Sequence, residues 1–274
     1  MRSHYLSSIL CLASALSANA LVTNQSNHLT TSEEALQNHI RKVIPNSKSF
    51  PYWGNVGRVH LSTGIYLGNG YVLTAAHVGP GTFLLSDGSE YPVVRGSAAV
   101  YRNADNSQTE LCIFKVESRR KDSLRKLPSI NIRSTPPDVG ELILMIGHGA
   151  SQYPGDTKWV QDGKKRWGCN LVSRIARQPF ANSFGQTHGY YTRFDHGLFD
   201  CQGASGDSGG PAFYYDQEQQ EWLLTGMLAA VTTPVHLEET KHGDSTFIAD
   251  LRPMLSNPIK IIDSRLESSR VARK

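Results

Sequence analysis

From Val56 onward the chain alternates short apolar runs with Gly, Pro, Asn or Asp. The runs fall at 56–61, 64–67, 71–74, 82–85, 91–94 and 111–116, and resume at 141–146, 170–175, 190–194, 212–215, 223–231 and 245–248. They are short, rich in β-branched and aromatic residues and punctuated by turn formers, which predicts β-strands and an all-β barrel or sandwich. Two groups of about six strands, split near Pro136-Pro137, suggest two β-barrels. Residues 21–50 are polar and lack strand patterning, but Thr31-Ser32-Glu33-Glu34 fits a capping box. Ala35 to Ile40 should follow as one short helix, ended by Arg41-Lys42, before Val43-Ile44-Pro45 turns extended. Residues 251–262 read as a short helix or an extended tail, and 265–274 as a basic, solvated end.

Composition narrows the class. With 39% hydrophobic and 19% charged residues the chain is not disordered. Beyond the first twenty residues no apolar run approaches the ~18 needed to span a bilayer, so no membrane partner is expected. At the start, Arg2 precedes an apolar stretch over 5–16 that ends in Ala18-Asn19-Ala20. This is the pattern of a secretory signal cleaved after Ala20, which places the protein outside the cell or in a periplasm. The formal charge of +4 then falls to +3, too small to suggest nucleic acid as a partner. Cys11 leaves with the signal, so Cys112, Cys169 and Cys201 remain. Asn24-Gln25-Ser26 is a glycosylation sequon in the N-terminal extension.

Two motifs carry chemistry. Gly206-Asp207-Ser208-Gly209-Gly210-Pro211 sets a serine among glycines. A serine hydroxyl becomes a nucleophile when a base removes its proton, and acyl transfer needs backbone N–H groups aimed at the developing oxyanion. A glycine two residues before the serine can turn its N–H inward beside the serine's own. The second motif, Thr74-Ala75-Ala76-His77, follows the run Tyr71-Val72-Leu73 and offers an imidazole at a tight turn, the usual general base near neutral pH. His60, His148, His188, His196, His236 and His242 lack metal-ligand spacing, and no metal or other cofactor is expected.

Together Leu73 to His77 and Gly206 to Pro211 resemble the two signatures of the chymotrypsin-like (trypsin-like) serine endopeptidases, and the short spacers look more like bacterial members. The resemblance covers about 56–262. It implies two six-stranded antiparallel β-barrels with the active site in the cleft between them, His77 as base, Ser208 as nucleophile, and Gly206 with Ser208 as oxyanion donors. The family carries an Asp before a buried strand, but here Glu110 precedes Leu111-Cys112-Ile113-Phe114-Lys115-Val116. A carboxylate one methylene longer can still orient an imidazole. Asp105 is the rival acid. The resemblance puts Gln202 at the base of the primary pocket and Ala229, Ala230 and Val231 along its wall, with Leu228 where glutamate-specific relatives carry a histidine. Asp200 either faces the pocket or is a solvated loop acid. By the same resemblance Cys169 and Cys201 form a disulfide bracing the pocket, and Asp207 is a buried aspartate that a freed N-terminal amine would pair; Cys112, inside an apolar run, reads as a buried small hydrophobe. No R-I-V-G-G start is present; Lys42-Val43 is the nearest cleavage candidate, or an exposed dibasic linker.

The expected organisation is therefore a signal peptide over 1–20, an extension or propeptide over 21–50, a protease domain over 51–262 divided near 135, and a basic tail over 263–274. The expected function is a secreted, monomeric serine endopeptidase acting on polypeptide through an acyl-enzyme. The alternatives are a catalytically impaired binding protein on the protease fold, motivated by Glu110, and an esterase.

Overall fold

The computed structural model describes residues 21–23, 31–118, 123–152, 159–177, 179–195, 200–232 and 243–256. The signal-peptide, sequon and basic-tail expectations lie outside these residues, as do those on His196, His236 and His242.

The chain opens with β1 (Val22–Thr23) and α1 (Glu33–Val43). Ser32 caps the helix by accepting from Ala35 N, and Glu33, Glu34, Arg41 and Lys42 complement its dipole. The first half then contributes β2 (Val56–Val59), β3 (Ser62–Gly68), β4 (Tyr71–Ala75), β5 (Phe83–Leu84), β6 (Glu90–Tyr91), β7 (Ala99–Arg102) and β8 (Gln108–Lys115). The second half contributes β9 (Leu142–Gly147), β10 (Ser151–Gln152), β11 (Trp159–Val160), β12 (Arg166–Ile175), β13 (Phe180–Asn182), β14 (Gly185–Thr187), β15 (Gly189–Arg193), β16 (Cys201–Gln202), β17 (Pro211–Asp216), β18 (Glu221–Thr232) and β19 (Ser245–Asp250). All twelve strands expected from the pattern overlap an observed strand. Residues 252–256 form a single 3₁₀ turn.

Only one of the two expected six-stranded barrels is closed. Strands β12-β15-β19-β18-β17-β9 form a closed barrel, whereas the first half is a seven-stranded sheet in the order β6-β5-β2-β3-β4-β8-β7. The edge run after β6 meets the end of β8 through a single bridge, Val93 to Val116, in place of a strand ladder. Sequence reading missed β7 in the first half and β1, β10, β11, β13, β14 and β16 elsewhere, each four residues or shorter.

The largest core cluster crosses both halves, joining Ile65, Leu73 and Leu111 to Ile146, Phe213 and Phe247. Residues from the N-terminal segment complete it. Leu36 and Ile40 of α1 are buried, as is Phe50, which packs edge-on against Phe213 and Trp222 at 4.9 and 5.2 Å.

The expected Cys169–Cys201 disulfide is absent; Cys112, Cys169 and Cys201 are all free and buried. The two belong to different core clusters: Cys169 packs in the core shared between the halves, and Cys201 with Leu21, Val172 and Ile248. Burial raises the Cys112 thiol to about 11 and Cys169 to about 12, so these side chains stay protonated and inert. Among the described residues no helix is long and apolar enough to cross a membrane.

Candidate active site

Strands β4 and β8 pair antiparallel, with Ala75 opposite Leu111, and so bring the residues just beyond that pair together. Ala76 N donates to Glu110 O at 2.8 Å, and His77 follows directly. His77 Nδ1 lies 3.0 Å from Glu110 Oε2, and His77 N donates to the same oxygen at 3.3 Å. Glu110 is fully buried, while the imidazole is 29% exposed and keeps its other nitrogen available. Asp105 is an exposed loop residue whose carboxylate is taken by Ser107. Geometry thus joins Glu110, and not Asp105, to His77.

Sequence reading did not find the residues that hold Glu110. The β13–β14 hairpin reaches over from the second half, and Asn182 Nδ2 donates to Glu110 Oε1 while Glu110 N donates to Thr187 Oγ1 at 2.7 Å. Phe184 at its tip places its ring 5.9 Å from His77. Burial raises the Glu110 carboxyl, but the hydrogen bonds from His77 and Asn182 and the His77 charge outweigh it and hold the group below its ordinary value. The Asn-x-x-Gly turn spacing at Asn182 to Gly185 is the signal that marks this hairpin.

Ser208 belongs to a loop pinned against the first half. Thr63 N donates to Ser208 O at 3.1 Å, Thr63 Oγ1 donates to Gly206 O at 2.9 Å, and Thr74 Oγ1 donates to Thr63 O at 2.8 Å. Gly209 adopts φ +88°, and a side chain there would collide with Thr63 O and Thr74 Oγ1. Only glycine permits this approach. Within the loop Asp207 N, Gly209 N and Gly210 N donate to Ala204 O, Leu228 O and Asp207 O. The N–H groups of Gly206 and Ser208 have no acceptor among the described residues, which leaves both available to an incoming oxyanion. Ser208 is half-buried, and its Oγ makes no hydrogen bond to His77. A nucleophile–base bond of this kind often forms only with substrate in place.

Ala229 is buried on β18, with Ala230 and Val231 half-buried beyond it, and Leu228 O accepts from Gly209 N. Gln202 is fully buried on β16, and neither amide atom has a partner among the described residues. Asp200 is buried, not solvated.

Asp207 is fully enclosed. Its Oδ1 accepts from Gly149 N at 2.8 Å, and Oδ2 accepts from Ala204 N at 2.8 Å and Leu21 N at 3.2 Å. Burial raises its carboxyl from 3.8 to about 6 despite these donors. Leu21 is itself completely buried, and β1 pairs antiparallel with β16, Val22 opposite Gln202. Lys42 and Val43, by contrast, lie in the last turn of α1.

Residues 62–220 match the family model described as a trypsin-like peptidase domain, over half of the chain. The chain belongs to that family, and its fold is the chymotrypsin-like one. Among solved structures it resembles mouse neuropsin, a serine protease expressed in the limbic system, with 15% identity over 77% of this chain and 95% of that one, TM-score 0.50. The inactive form of the Rv3671c protease of M. tuberculosis matches with 16% identity over 77% and 90%, TM-score 0.49. The NS6 protease of murine norovirus 1 matches with 15% identity over 73% and 90%, TM-score 0.47. Comparison with curated proteins finds no sequence match.

Proposed function

We propose that this member of the family is an active serine endopeptidase in which Ser208, His77 and Glu110 form the catalytic set. The observation that carries the reading is the contact of His77 Nδ1 with buried Glu110 at 3.0 Å, beside a nucleophile loop hydrogen-bonded to the same half through Thr63. Ser208 Oγ attacks the peptide carbonyl as His77 Nε2 takes its proton. Glu110 accepts the Nδ1–H, fixes the tautomer and stabilises the imidazolium. The N–H groups of Gly206 and Ser208 receive the oxyanion. His77 then protonates the leaving amine, and water releases the acyl-enzyme by the reverse sequence. A fluorophosphonate probe tests this: wild type should label at Ser208 and Ser208→Ala should not. Wild type that stays unlabelled supports the binding-protein alternative instead. Profiling on a mixed peptide library separates peptidase from esterase and reports the pocket preference of Gln202, Ala229, Ala230 and Val231.

We infer further that export is what activates the enzyme. Cleavage after Ala20 converts the Leu21 nitrogen, 3.2 Å from Asp207 Oδ2, from a neutral amide donor into an ammonium. That cation would pair a buried carboxylate located between the two oxyanion donors. The segment 21–50 stays attached in this reading, because Leu36, Ile40 and Phe50 are part of the core. N-terminal sequencing of active protein should return Leu21. Active protein beginning at Val43 overturns this reading. A version carrying two extra residues ahead of Leu21 should lose activity by about tenfold or more, through loss of one buried charge pair.

A further inference from the structure

The molecule has a cavity of about 500 Å³ that the peptidase reading does not use. It is lined by Arg58, His148, Lys164 and Lys165, together with the apolar side chains of Trp53 and Leu84, and no Asp or Glu is among its lining residues. Lys165 is the unusual residue. It is only 7% exposed, and its Nζ donates to Trp53 O at 2.7 Å while lying 4.8 Å from the centre of the Trp53 ring. A buried ammonium is normally paired with a carboxylate. Among the described residues no carboxylate lies within ion-pair distance of Lys165 or of Arg58. Asp162, three residues before Lys165, is engaged by Arg166 at 2.7 Å and by Lys164 at 3.8 Å.

His148 supplies an independent second observation. It is 4% exposed, and its Nδ1 has no hydrogen-bond partner among the described residues. Its backbone N donates to Thr63 Oγ1 at 2.9 Å, the same hydroxyl that holds Gly206 O. Burial and the positive charges of Lys165, Arg58 and Arg166 hold the ring well below its ordinary pKa, so it stands neutral with one N–H to donate. The cavity thus contains two cations, Lys165 and Arg58, with no carboxylate at ion-pair distance among the described residues, and a neutral donor beside an apolar wall.

We propose that this cavity is a binding site for an oxygen anion, a carboxylate, sulfate or phosphate group, held by Lys165 and Arg58 and backed by the Trp53–Leu84 wall. Lys165 supports this by its poise. Burial lowers its ammonium from 10.5 to about 7, outweighing the opposing charges of Glu33 and Asp87, and a bound anion would restore its charge. The Arg58 guanidinium is prepositioned against the backbone of Gly163, which has φ +67° and no side chain to obstruct it.

The readout is binding, so it does not depend on peptidase activity. Calorimetric titration with sodium sulfate, against sodium chloride at equal ionic strength, should give one saturable site in wild type. That site should weaken by about tenfold or more in Lys165→Met and in Arg58→Gln, the loss of one charge-assisted hydrogen bond each. Arg58 is half-buried on a short strand, so Arg58→Gln keeps the test open if Lys165→Met does not fold. In wild type, acetylation of Lys165 followed by mass spectrometry should slow at least severalfold when sulfate is present, whereas lysines outside the cavity should not respond. A hexaglutamate peptide in place of sulfate identifies the source of the anion: tighter binding indicates an acidic peptide group, and equal or weaker binding a free ion. Undiminished affinity in both variants, or unprotected Lys165, overturns the proposal.

Discussion

At the scale of single residues, Glu110 is the position on which the reading turns. Glu110→Gln keeps the size of the side chain but removes the charge that supports an imidazolium, and kcat should fall by roughly 10⁴ while KM changes little. Asn182→Ala leaves Glu110 in place but removes one hydrogen bond to its charged form. The carboxyl pKa should then rise, kcat should fall about tenfold, and the acidic limb of the kcat/KM profile should move to higher pH. A purely structural Asn182 would lower the amount of folded enzyme without moving that limb. His77, Ser208 and Gly206 were legible because their chemistry is written in consecutive residues. Glu110 was legible through the buried run that follows it. Asn182 and Thr187 were not, because they lie 72 and 77 residues from Glu110 in the chain and nothing local in their sequence refers to it.

At the scale of elements, the pattern of apolar runs located the strands but not their closure. Closure depends on edge pairing, and the edges here are made by β5 and β6, two residues each, and by the half-buried β7. Strands this short carry no period to read. The same holds for β1 and β16, whose pairing ties the N-terminal segment to the loop before Ser208. The helix was legible from its cap and charges, but its place in the core was not, because an amphipathic stripe does not say what it packs against. Leu36→Ala and Ile40→Ala should each lower stability by about 2–5 kcal/mol, measured by denaturant titration. If 21–50 were a dispensable extension, both substitutions would be nearly silent.

At the scale of the whole molecule, three connections make the halves one body: the shared core, the Thr63 contacts to the nucleophile loop, and the β13–β14 hairpin on Glu110. Two carboxylates couple this body to pH in opposite directions. Glu110 has a depressed pKa, so its contribution is complete above its unfolded value near 4.5 and is lost as pH falls through the lower folded value. Asp207 has a raised pKa, so while it is paired only by neutral N–H donors stability is lost as pH rises from about 3.8 to about 6. This amounts to roughly 3 kcal/mol. Melting temperatures should therefore separate between pH 4 and 6. The version blocked ahead of Leu21 should weaken as pH rises, while the form with a free Leu21 amine should not. Parallel curves would disconnect Leu21 from Asp207.

The three buried thiols have a consequence for how the molecule is made and how long it lasts. With no covalent cross-link among the described residues, the folded state owes nothing to an oxidant. It should refold without a disulfide isomerase, melt at the same temperature with or without a reducing agent, and have no mispaired cysteines to trap it. A protein of this design carries the same fold in an oxidising or a reducing compartment, and its lifetime is set by the height of its unfolding barrier.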